Sequence, residues 1–321
     1  MEPNATPRPR AAACGKSYRT ASASQLTQIL QAHRAWLEQL PEGKRAMLTA
    51  CALNEAELSG VSLRGAVLRG CSLLEAKLTG ADLSRAVLIR CDFSQATMSG
   101  ADLTGAELKS CIFEGALLAE ANFTEAVLHG VCFRRALLRE ARLLDARLEE
   151  CDFMGAILTG ASLHYAQLGM SDFGEADLEA ALLYHARACG ARFVAARMSR
   201  ANFSSARLTG CDFRLAQLLG ARFLNADVSQ SCFSRAMLDE ADFRQANLRG
   251  ADFSAASLEN ARFDEADLLA ADFRGANLRG ARGLTAPQLS RARTDPSTTL
   301  PNGKRGTYLK GSGAERPVRL R

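Results

Sequence analysis

The hydrophobic positions of this chain recur at every fifth residue, without a break in register, from Ala46 to Thr285. In each pentapeptide the first residue is small, usually Ala or Cys, and the third is almost always Leu or Phe. The other positions are mostly polar, as in the unit at 101–105. A period of five fits neither the 3.6-residue helix nor the two-residue alternation of a flat strand. The pattern therefore predicts a solenoid whose repeats pack only on their neighbours.

Phenylalanine adds a second period of twenty residues. Ten of the fifteen Phe residues follow one another at intervals of twenty, from Phe93 to Phe273. The other five are offset from this series by ten residues: Phe123, Phe203, Phe223, Phe243 and Phe263. Residues twenty apart must therefore stack, with the two Phe series on opposite faces. The spacing predicts an all-β solenoid of about twelve four-sided coils, hydrogen-bonded to each other at roughly the 4.8 Å spacing of paired strands.

The repeats resemble those of the pentapeptide-repeat family, whose pattern is Ala-(Asp/Asn)-Leu-X-X. The units that begin at Ala81 and Ala276 match this pattern in their first three residues. The resemblance covers about three quarters of the chain. It implies a right-handed quadrilateral β-helix, and the handedness rests on the resemblance alone.

A solenoid exposes an unpaired β edge and an open core at each end, and both ends need a cap. Apolar residues at helical spacing from Leu26 to Leu40 predict a first capping helix. At the other end, Thr285 followed by Pro287 predicts the start of a short second helix. We therefore expect four segments: a disordered leader over 1–22, an N-terminal capping helix over 23–45, the repeat β-helix over 46–285, and a C-terminal cap and basic tail over 286–321.

The charge of the chain is unevenly distributed. The whole chain carries a net charge of +5, whereas residues 51–285 contain 25 basic and 30 acidic residues. The basic excess therefore lies at the two ends. The basic residues of the tail are loosely spaced and lack interleaved aromatic residues, so nucleic-acid binding by the tail is unlikely. No apolar run is long enough for a membrane span. The leader also lacks the hydrophobic stretch of a signal peptide, with a secretion or transit signal as the alternative.

The ten cysteines do not indicate a metal site, because they lack Cys-X-X-Cys pairs and zinc-type spacing with histidine. Six of them occupy the small inward position on the face of the longer Phe series: Cys51, Cys71, Cys91, Cys111, Cys151 and Cys211. Buried reduced thiols serve as small apolar residues, and they favour a cytoplasmic location.

No sequence motif indicates catalysis. The chain contains no Gly-rich phosphate loop and no Gly-X-Ser-X-Gly nucleophile motif. A rod filled by its own side chains is also expected to lack the concave pocket that most small-molecule chemistry needs. The sequence therefore predicts a protein that is not an enzyme and that binds neither a cofactor nor a metal.

Two groups of surface residues depart from the polar pattern in the middle of the repeats. The first is an apolar row where Asp or Asn is expected: Leu117, Leu137 and Ile157. The second lies on the next face: Leu144, His164, Tyr165, Leu182, Tyr184 and His185. The histidine–tyrosine pairs are twenty residues apart, so we expect them to stack on adjacent coils. Aromatic and aliphatic groups on a polar surface favour a contact site, and drift on a tolerant surface is the alternative.

The sequence thus predicts a non-catalytic scaffold that binds a protein partner, or a second copy of itself, through its side walls. The family resemblance adds two alternatives for a bacterial protein. Some members mimic duplex DNA, bind DNA gyrase and protect it from inhibitors. The balanced charge of residues 51–285 and the absence of inserted loops disfavour that role. Other members are secreted effectors or accessories of secretion systems.

Overall fold

The computed structural model describes residues 19–20 and 23–317. The predicted disordered leader therefore lies outside the described residues, apart from Arg19–Thr20. The last four residues of the predicted basic tail, 318–321, also lie outside them.

The repeats form a parallel β-solenoid with few helices, as the sequence predicts. The second residue of each pentapeptide pairs with the residue twenty positions later; Leu117, for example, pairs with Thr97 and with Leu137. Four such ladders run along the chain, one for each pentapeptide of a twenty-residue coil. Backbone hydrogen bonds join the coils, such as that from the Leu118 N–H to the Leu137 carbonyl at 2.8 Å. Parallel pairing at a fixed offset of twenty explains why the two sequence periods coincide.

Each coil turns at the fifth residue of every pentapeptide, where the backbone lies in the left-handed region. Gly210 has φ of 68°, but Glu175 at the same position of another repeat has φ of 57°. This conformation is costly for a residue with a side chain. The Glu175 N–H donates to the Val194 carbonyl in the next coil at 2.9 Å, and equivalent bonds recur at most of these turns. Hydrogen bonds between coils therefore stabilise turns that the local sequence alone does not favour.

Continuous strands occur only in the N-terminal half of the described rod. They are Arg19–Thr20 (β1), Met47–Thr49 (β2), Cys51–Ala52 (β3), Val67–Arg69 (β4), Val87–Ile89 (β5), Glu107–Lys109 (β6), Val127–His129 (β7) and Arg147–Glu149 (β8). Strands β2 and β4 to β8 form one six-stranded parallel sheet, and β1 pairs with β3. The remaining rungs of the ladders are single-residue bridges.

Phenylalanine rings fill the core in two stacked columns. In the longer column, from Phe93 to Phe273, successive ring centroids are 4.7–5.1 Å apart. In the shorter column the separations are 4.9–5.5 Å for Phe203, Phe223, Phe243 and Phe263. Rings of the two columns meet edge to face across the core at 5.6–6.2 Å. The predicted stacking of Phe residues twenty apart is therefore confirmed.

The N-terminal helix covers the first coil. Helix α1 spans Ala23–Leu37, so it ends before the stripe expected to reach Leu40, because the chain turns at Gln39 with φ of 59°. His33 is fully buried, and its ring stacks on Trp36 with centroids 5.3 Å apart. The sequence did not predict β1, which adds to the open edge of the first coil beside β3.

The C-terminal cap lies within the last coils rather than after them. Helix α2 spans Ala286–Arg291, and Thr285 forms a capping box with Gln288. The ladders continue beyond the helix, since Asp272 pairs with Arg293 and Asn277 with Thr299. The offset is 21 residues in the first of these rungs, because α2 replaces a regular pentapeptide, and it grows to 22 in the second because one more residue is added after the helix. The solenoid therefore extends past the expected boundary at residue 285.

The segment after the last rung is irregular in secondary structure but packs on the rod. Tyr308 is buried, and its hydroxyl donates to Glu315 at 3.1 Å. Thr298 is fully buried, and its hydroxyl donates to the Phe273 carbonyl at 3.0 Å. The described part of the predicted basic tail therefore closes the C-terminal end of the core.

Replacing Phe213 by Ala should destabilise the rod more than replacing Phe123 by Ala. Both rings are fully buried. Phe213 contacts four other rings, whereas Phe123 contacts only Phe133. Burial alone gives a cost of about 3–5 kcal/mol for either change, and each aromatic contact adds about 0.5–1.5 kcal/mol. Urea unfolding of the two variants measures the difference, and equal losses would show that the columns add nothing beyond burial.

Replacing Gly283 by Ala should loosen the C-terminal cap. Gly283 has φ of 74°, and a Cβ there would fall on the backbone nitrogen of Asp264. Gly210→Ala is the matched control, because its φ is 68° and no atom lies within 4 Å of the added Cβ. Both variants carry the left-handed cost of about 1–2 kcal/mol. Only Gly283→Ala should speed amide hydrogen exchange in α2, and similar exchange in both variants would contradict the clash.

Acidification should loosen the N-terminal cap through His33. Burial lowers the pKa of His33 below its ordinary 6.5, and its Nδ1 accepts a hydrogen bond from the Ala46 N–H at 3.1 Å. Below pH 6.5 the unfolded chain takes up a proton that the folded chain excludes. The stability from His33 is therefore complete above that pH and is lost as the pH falls towards the folded-state pKa.

Fluorescence of Trp36, the only tryptophan, measures this transition. His33→Gln keeps a hydrogen-bond acceptor without a titrating group, so it should remove the transition. His129→Gln, at an exposed histidine, should keep it. An unchanged transition in His33→Gln would assign the effect to another group.

Candidate functional site

The apolar row predicted from the sequence is a continuous ladder on the outside of the rod. Leu117 pairs with Leu137, and Leu137 pairs with Ile157. Leu117 is 39% exposed, and the other two side chains are half-buried. The ladder has polar neighbours, Thr97 on one side and Asp177 on the other. These three residues therefore form a short apolar strip along one wall.

The second group contains a compact aromatic cluster, which we define as His164, Tyr165, Tyr184 and His185. Tyr165 stacks on His185 with centroids 5.0 Å apart and planes within 2°. His164 lies over Tyr184 with centroids 3.8 Å apart. The two tyrosines meet edge to face at 5.8 Å. The predicted stacking of histidine–tyrosine pairs on adjacent coils is confirmed, and Tyr165 remains 47% exposed.

The coil backbone fixes the aromatic cluster. The Tyr165 N–H donates to the Tyr184 carbonyl at 3.2 Å, and the His185 N–H donates to the Ser204 carbonyl at 3.0 Å. The Nδ1 atom of His164 lies 3.3 Å from the Ser162 hydroxyl, and its Nε2 is buried without a partner among the described residues. Burial also lowers the pKa of His164, so this ring is neutral near pH 7.

The two predicted groups lie on neighbouring ladders and do not form a single row. Leu182 belongs to the ladder that contains Ser162, and it is 37% exposed. Leu144 is half-buried and occupies the same repeat position as His164, one coil earlier. Both leucines therefore border the aromatic cluster, whereas the apolar strip lies on the wall before it.

Sequence reasoning missed a set of arginines around the aromatic cluster. They are exposed and make no side-chain hydrogen bond or ion pair with any described residue: Arg142, Arg147, Arg187, Arg207 and Arg222. Arg192 and Arg197, by contrast, pair with Asp172 at 3.3 Å and Asp177 at 3.6 Å. A signal was present in the sequence, since residues 181–210 contain five arginines and no acidic residue.

The inward thiols do more than fill space. The Cys91 thiol donates to the Leu68 carbonyl at 3.4 Å, and the Ser171 hydroxyl, at the same repeat position, donates to Leu148 at 2.6 Å. Burial raises the pKa of Cys151 to about 12, which keeps this thiol protonated as a donor. Among the described residues all cysteines are free, and no group of three or more His, Cys, Asp or Glu side chains could hold a metal.

The surface of the rod is not convex everywhere, contrary to expectation. A polar groove beside the C-terminal segment is lined by Asn277, Arg279, Asn302 and Arg305, among others. It exists because the chain after α2 folds back against the last rungs instead of continuing the repeat. In the part of the chain that the structure describes, no helix is long and apolar enough to cross a membrane.

Solved structures similar to this chain include repeat proteins from several sources. HetL, a pentapeptide repeat protein involved in heterocyst differentiation regulation in the cyanobacterium Nostoc sp. PCC 7120, is 28% identical, with 78% of this chain and 94% of HetL covered and a TM-score of 0.26. QnrB1, a plasmid-mediated fluoroquinolone resistance protein, is 18% identical, with 78% and 92% covered and a TM-score of 0.22. A pentapeptide repeat protein from the Arabidopsis thaliana thylakoid lumen is 26% identical, with 35% and 69% covered and a TM-score of 0.20. No curated protein sequence matches the chain.

Two family models match the sequence itself. The pentapeptide repeat region model matches residues 44–123, and the model of pentapeptide repeats in eight copies matches overlapping stretches between residues 136 and 282. No catalytic family is indicated. Because the matches cover more than half of the chain and coincide with the observed ladders, the chain belongs to the pentapeptide-repeat family.

Proposed function

We propose that the protein is a non-catalytic scaffold that binds a protein partner through the side wall carrying the aromatic cluster. The observation that carries this proposal is the exposed, stacked arrangement of Tyr165 and His185 on a side wall of the rod. Tyrosine and arginine dominate the energetics of protein interfaces, and both are concentrated here. A second copy of the chain is the alternative partner.

The rigidity of the cluster supports this role. Each ring is held by the coil backbone and by its neighbour in the next coil, so little side-chain freedom remains to be lost on binding. Preorganised contacts cost less conformational entropy and therefore give more affinity for the same area. A flat contact of this kind suits a macromolecule better than a small metabolite, which needs a concave pocket.

The number and handedness of the coils, the division of the chain and its location in the cell are part of the same proposal. We propose about twelve right-handed, four-sided coils, a length that offers side walls to a large partner. The division into leader, N-terminal cap, repeats and C-terminal cap with tail is part of the proposal, with the last rungs of the repeat ladders extending beyond residue 285. We also propose a bacterial cytoplasmic location, which the free cysteines of the described residues fit.

The charge around the aromatic cluster does not favour mimicry of DNA at gyrase. A mimic of the phosphate backbone needs a strongly acidic wall. Here the exposed wall beside the cluster carries unpaired arginines, including Arg187 and Arg207. Elsewhere carboxylates are paired with arginines, and the Arg274 guanidinium beside Asp272 holds the pKa of that carboxyl below its usual range. A partner attracted to cations fits this wall better.

Replacing both Tyr165 and Tyr184 by Ser should abolish partner binding without unfolding the rod. Serine suits both positions, because Ser204 occupies the Tyr184 position one coil later and Ser205 occupies the Tyr165 position two coils later with the same left-handed backbone. Loss of two aromatic contacts at an interface centre should weaken association at least about tenfold. Cross-linking in the native cell and sedimentation of the purified protein measure the hetero- and self-association.

The control variant replaces Leu215 and Leu219, which are 52% and 47% exposed, by Ser. It removes exposed apolar area away from the aromatic cluster and should leave association unchanged. Both variants should retain the stability of the parent protein within about 1 kcal/mol, because none of the four side chains belongs to the buried core. Association that is unaffected by the tyrosine changes would remove the aromatic cluster from the proposal.

A further inference from the structure

Two arginines beside the aromatic cluster stand next to each other and form no ion pair. Arg187 and Arg207 are directly paired in adjacent coils, roughly 4.8 Å apart in the backbone. Like charges placed opposite each other in a ladder destabilise it. Asp227 is the next rung after Arg207, but no described acidic side chain forms an ion pair with either arginine. Both guanidinium groups are therefore available to an anionic group from outside the chain.

The aromatic cluster also ends abruptly on the same side. In the coil after Tyr184 and His185, the equivalent positions hold Ser204 and Ser205. The next large side chain at these positions is Leu224, two coils from the rings, or roughly 9.6 Å by the spacing of paired strands. The gap is wide enough for one planar ring to stack between them. We call this gap, with Ser204 and Ser205 as its floor, the serine notch.

Arginines border the serine notch on both sides of the corner. Arg187 and Arg207 belong to the ladder that follows the corner, and Arg222 belongs to the ladder that precedes it. All three side chains are exposed. A guanidinium binds a carboxylate through two parallel, charge-assisted hydrogen bonds. The notch thus combines a stacking site with flanking carboxylate sites.

We propose, building on the scaffold function above, that the partner presents an acidic segment with an aromatic side chain. The aromatic ring enters the serine notch and stacks on Tyr184 and His185. Carboxylates on either side of that ring engage Arg187, Arg207 and Arg222. Such a segment supplies the next ring of the column and carboxylates for guanidinium groups that form no ion pair within the described chain.

The limits of the cationic surface favour an acidic peptide over a nucleic-acid strand. Asp145 lies one coil before the aromatic cluster, and Asp227 follows Arg207 in its ladder. Between them the surface extends over about four coil steps, roughly 19 Å by the strand spacing. A short acidic segment fits this length. A longer phosphate backbone would run onto the two carboxylates and be repelled.

Binding of defined polyanions to the full-length protein tests the proposal. The probes are a random copolymer of glutamate and tyrosine, poly-glutamate of matched length, and single-stranded oligo-dT, each followed by fluorescence anisotropy. The copolymer should bind most tightly of the three probes. The double variant Arg187→Glu/Arg207→Glu should weaken binding of the copolymer about tenfold or more. Arg282→Glu controls for loss of positive charge, because Arg282 is an exposed arginine at the repeat position of Arg222, three coils further along the rod, and it should change nothing.

A variant that fills the serine notch distinguishes the contribution of aromatic stacking to binding from the contribution of charge. Ser204→Tyr extends the aromatic column into the notch. It should therefore weaken binding of the copolymer and leave the weaker binding of poly-glutamate unchanged. The proposal is overturned if oligo-dT binds more tightly than the copolymer, or if neither the arginine nor the notch variant changes copolymer binding.

Comparison with the tyrosine variant keeps this inference distinct from the scaffold function. If Tyr165→Ser/Tyr184→Ser loses its partner in the cell while Arg187→Glu/Arg207→Glu retains it, the scaffold function stands and the acidic partner is wrong. If both variants retain the partner, both proposals fail. Loss of the partner in both variants, together with preferred copolymer binding, supports both.

Discussion

The structure depends on the backbone hydrogen bond that joins each coil to the next. The Leu117 N–H donates to Ala96 in the coil before, and the Leu118 N–H donates to Leu137 in the coil after. Because this bonding fixes the coil at twenty residues, each side chain lies directly over its counterpart. The backbone spacing of about 4.8 Å also falls within the range for stacked aromatic rings. The Phe columns are therefore a consequence of the hydrogen bonds, and they fill the core at the separation that the backbone imposes.

The same constraint governs the outer surface. A charged residue at the second position of a pentapeptide faces its counterpart in the next coil, whether the two charges are opposite or alike. Asp172 and Arg192 satisfy each other in this way, and so do Asp177 and Arg197. Arg187 and Arg207 face each other, and neither forms an ion pair with a described residue, although Asp227 is the next rung after Arg207. A guanidinium that stays unpaired in its ladder is available to a group from outside the chain.

Sequence periodicity predicts the rod because every repeat contributes the same inward residues. It does not predict where the repeat stops, because the ends rely on contacts that occur only once. The pairing of Arg19–Thr20 with Cys51–Ala52 and the rung between Asn277 and Thr299 each join segments with no shared pattern. The stacking of Tyr165 on His185 follows from the period of twenty. The arginines around that pair escape a pattern search, since arginine is a normal outward residue and these differ from the others only in forming no ion pair.

The rings of the aromatic cluster stack on the surface of the rod in the same way as the Phe rings stack in its core. Inside the rod, the rings at the ends of the Phe columns, such as Phe93 and Phe273, are fully buried, so their faces are covered. Outside, the column of Tyr184 and His185 ends at two serines, so its last ring faces remain open to solvent. An uncovered aromatic face at a rigid position retains apolar area that only another molecule can bury. A rod whose core is filled by its own side chains has no interior binding site. It can present a recognition site on its surface when a column of stacked rings ends with an uncovered ring face.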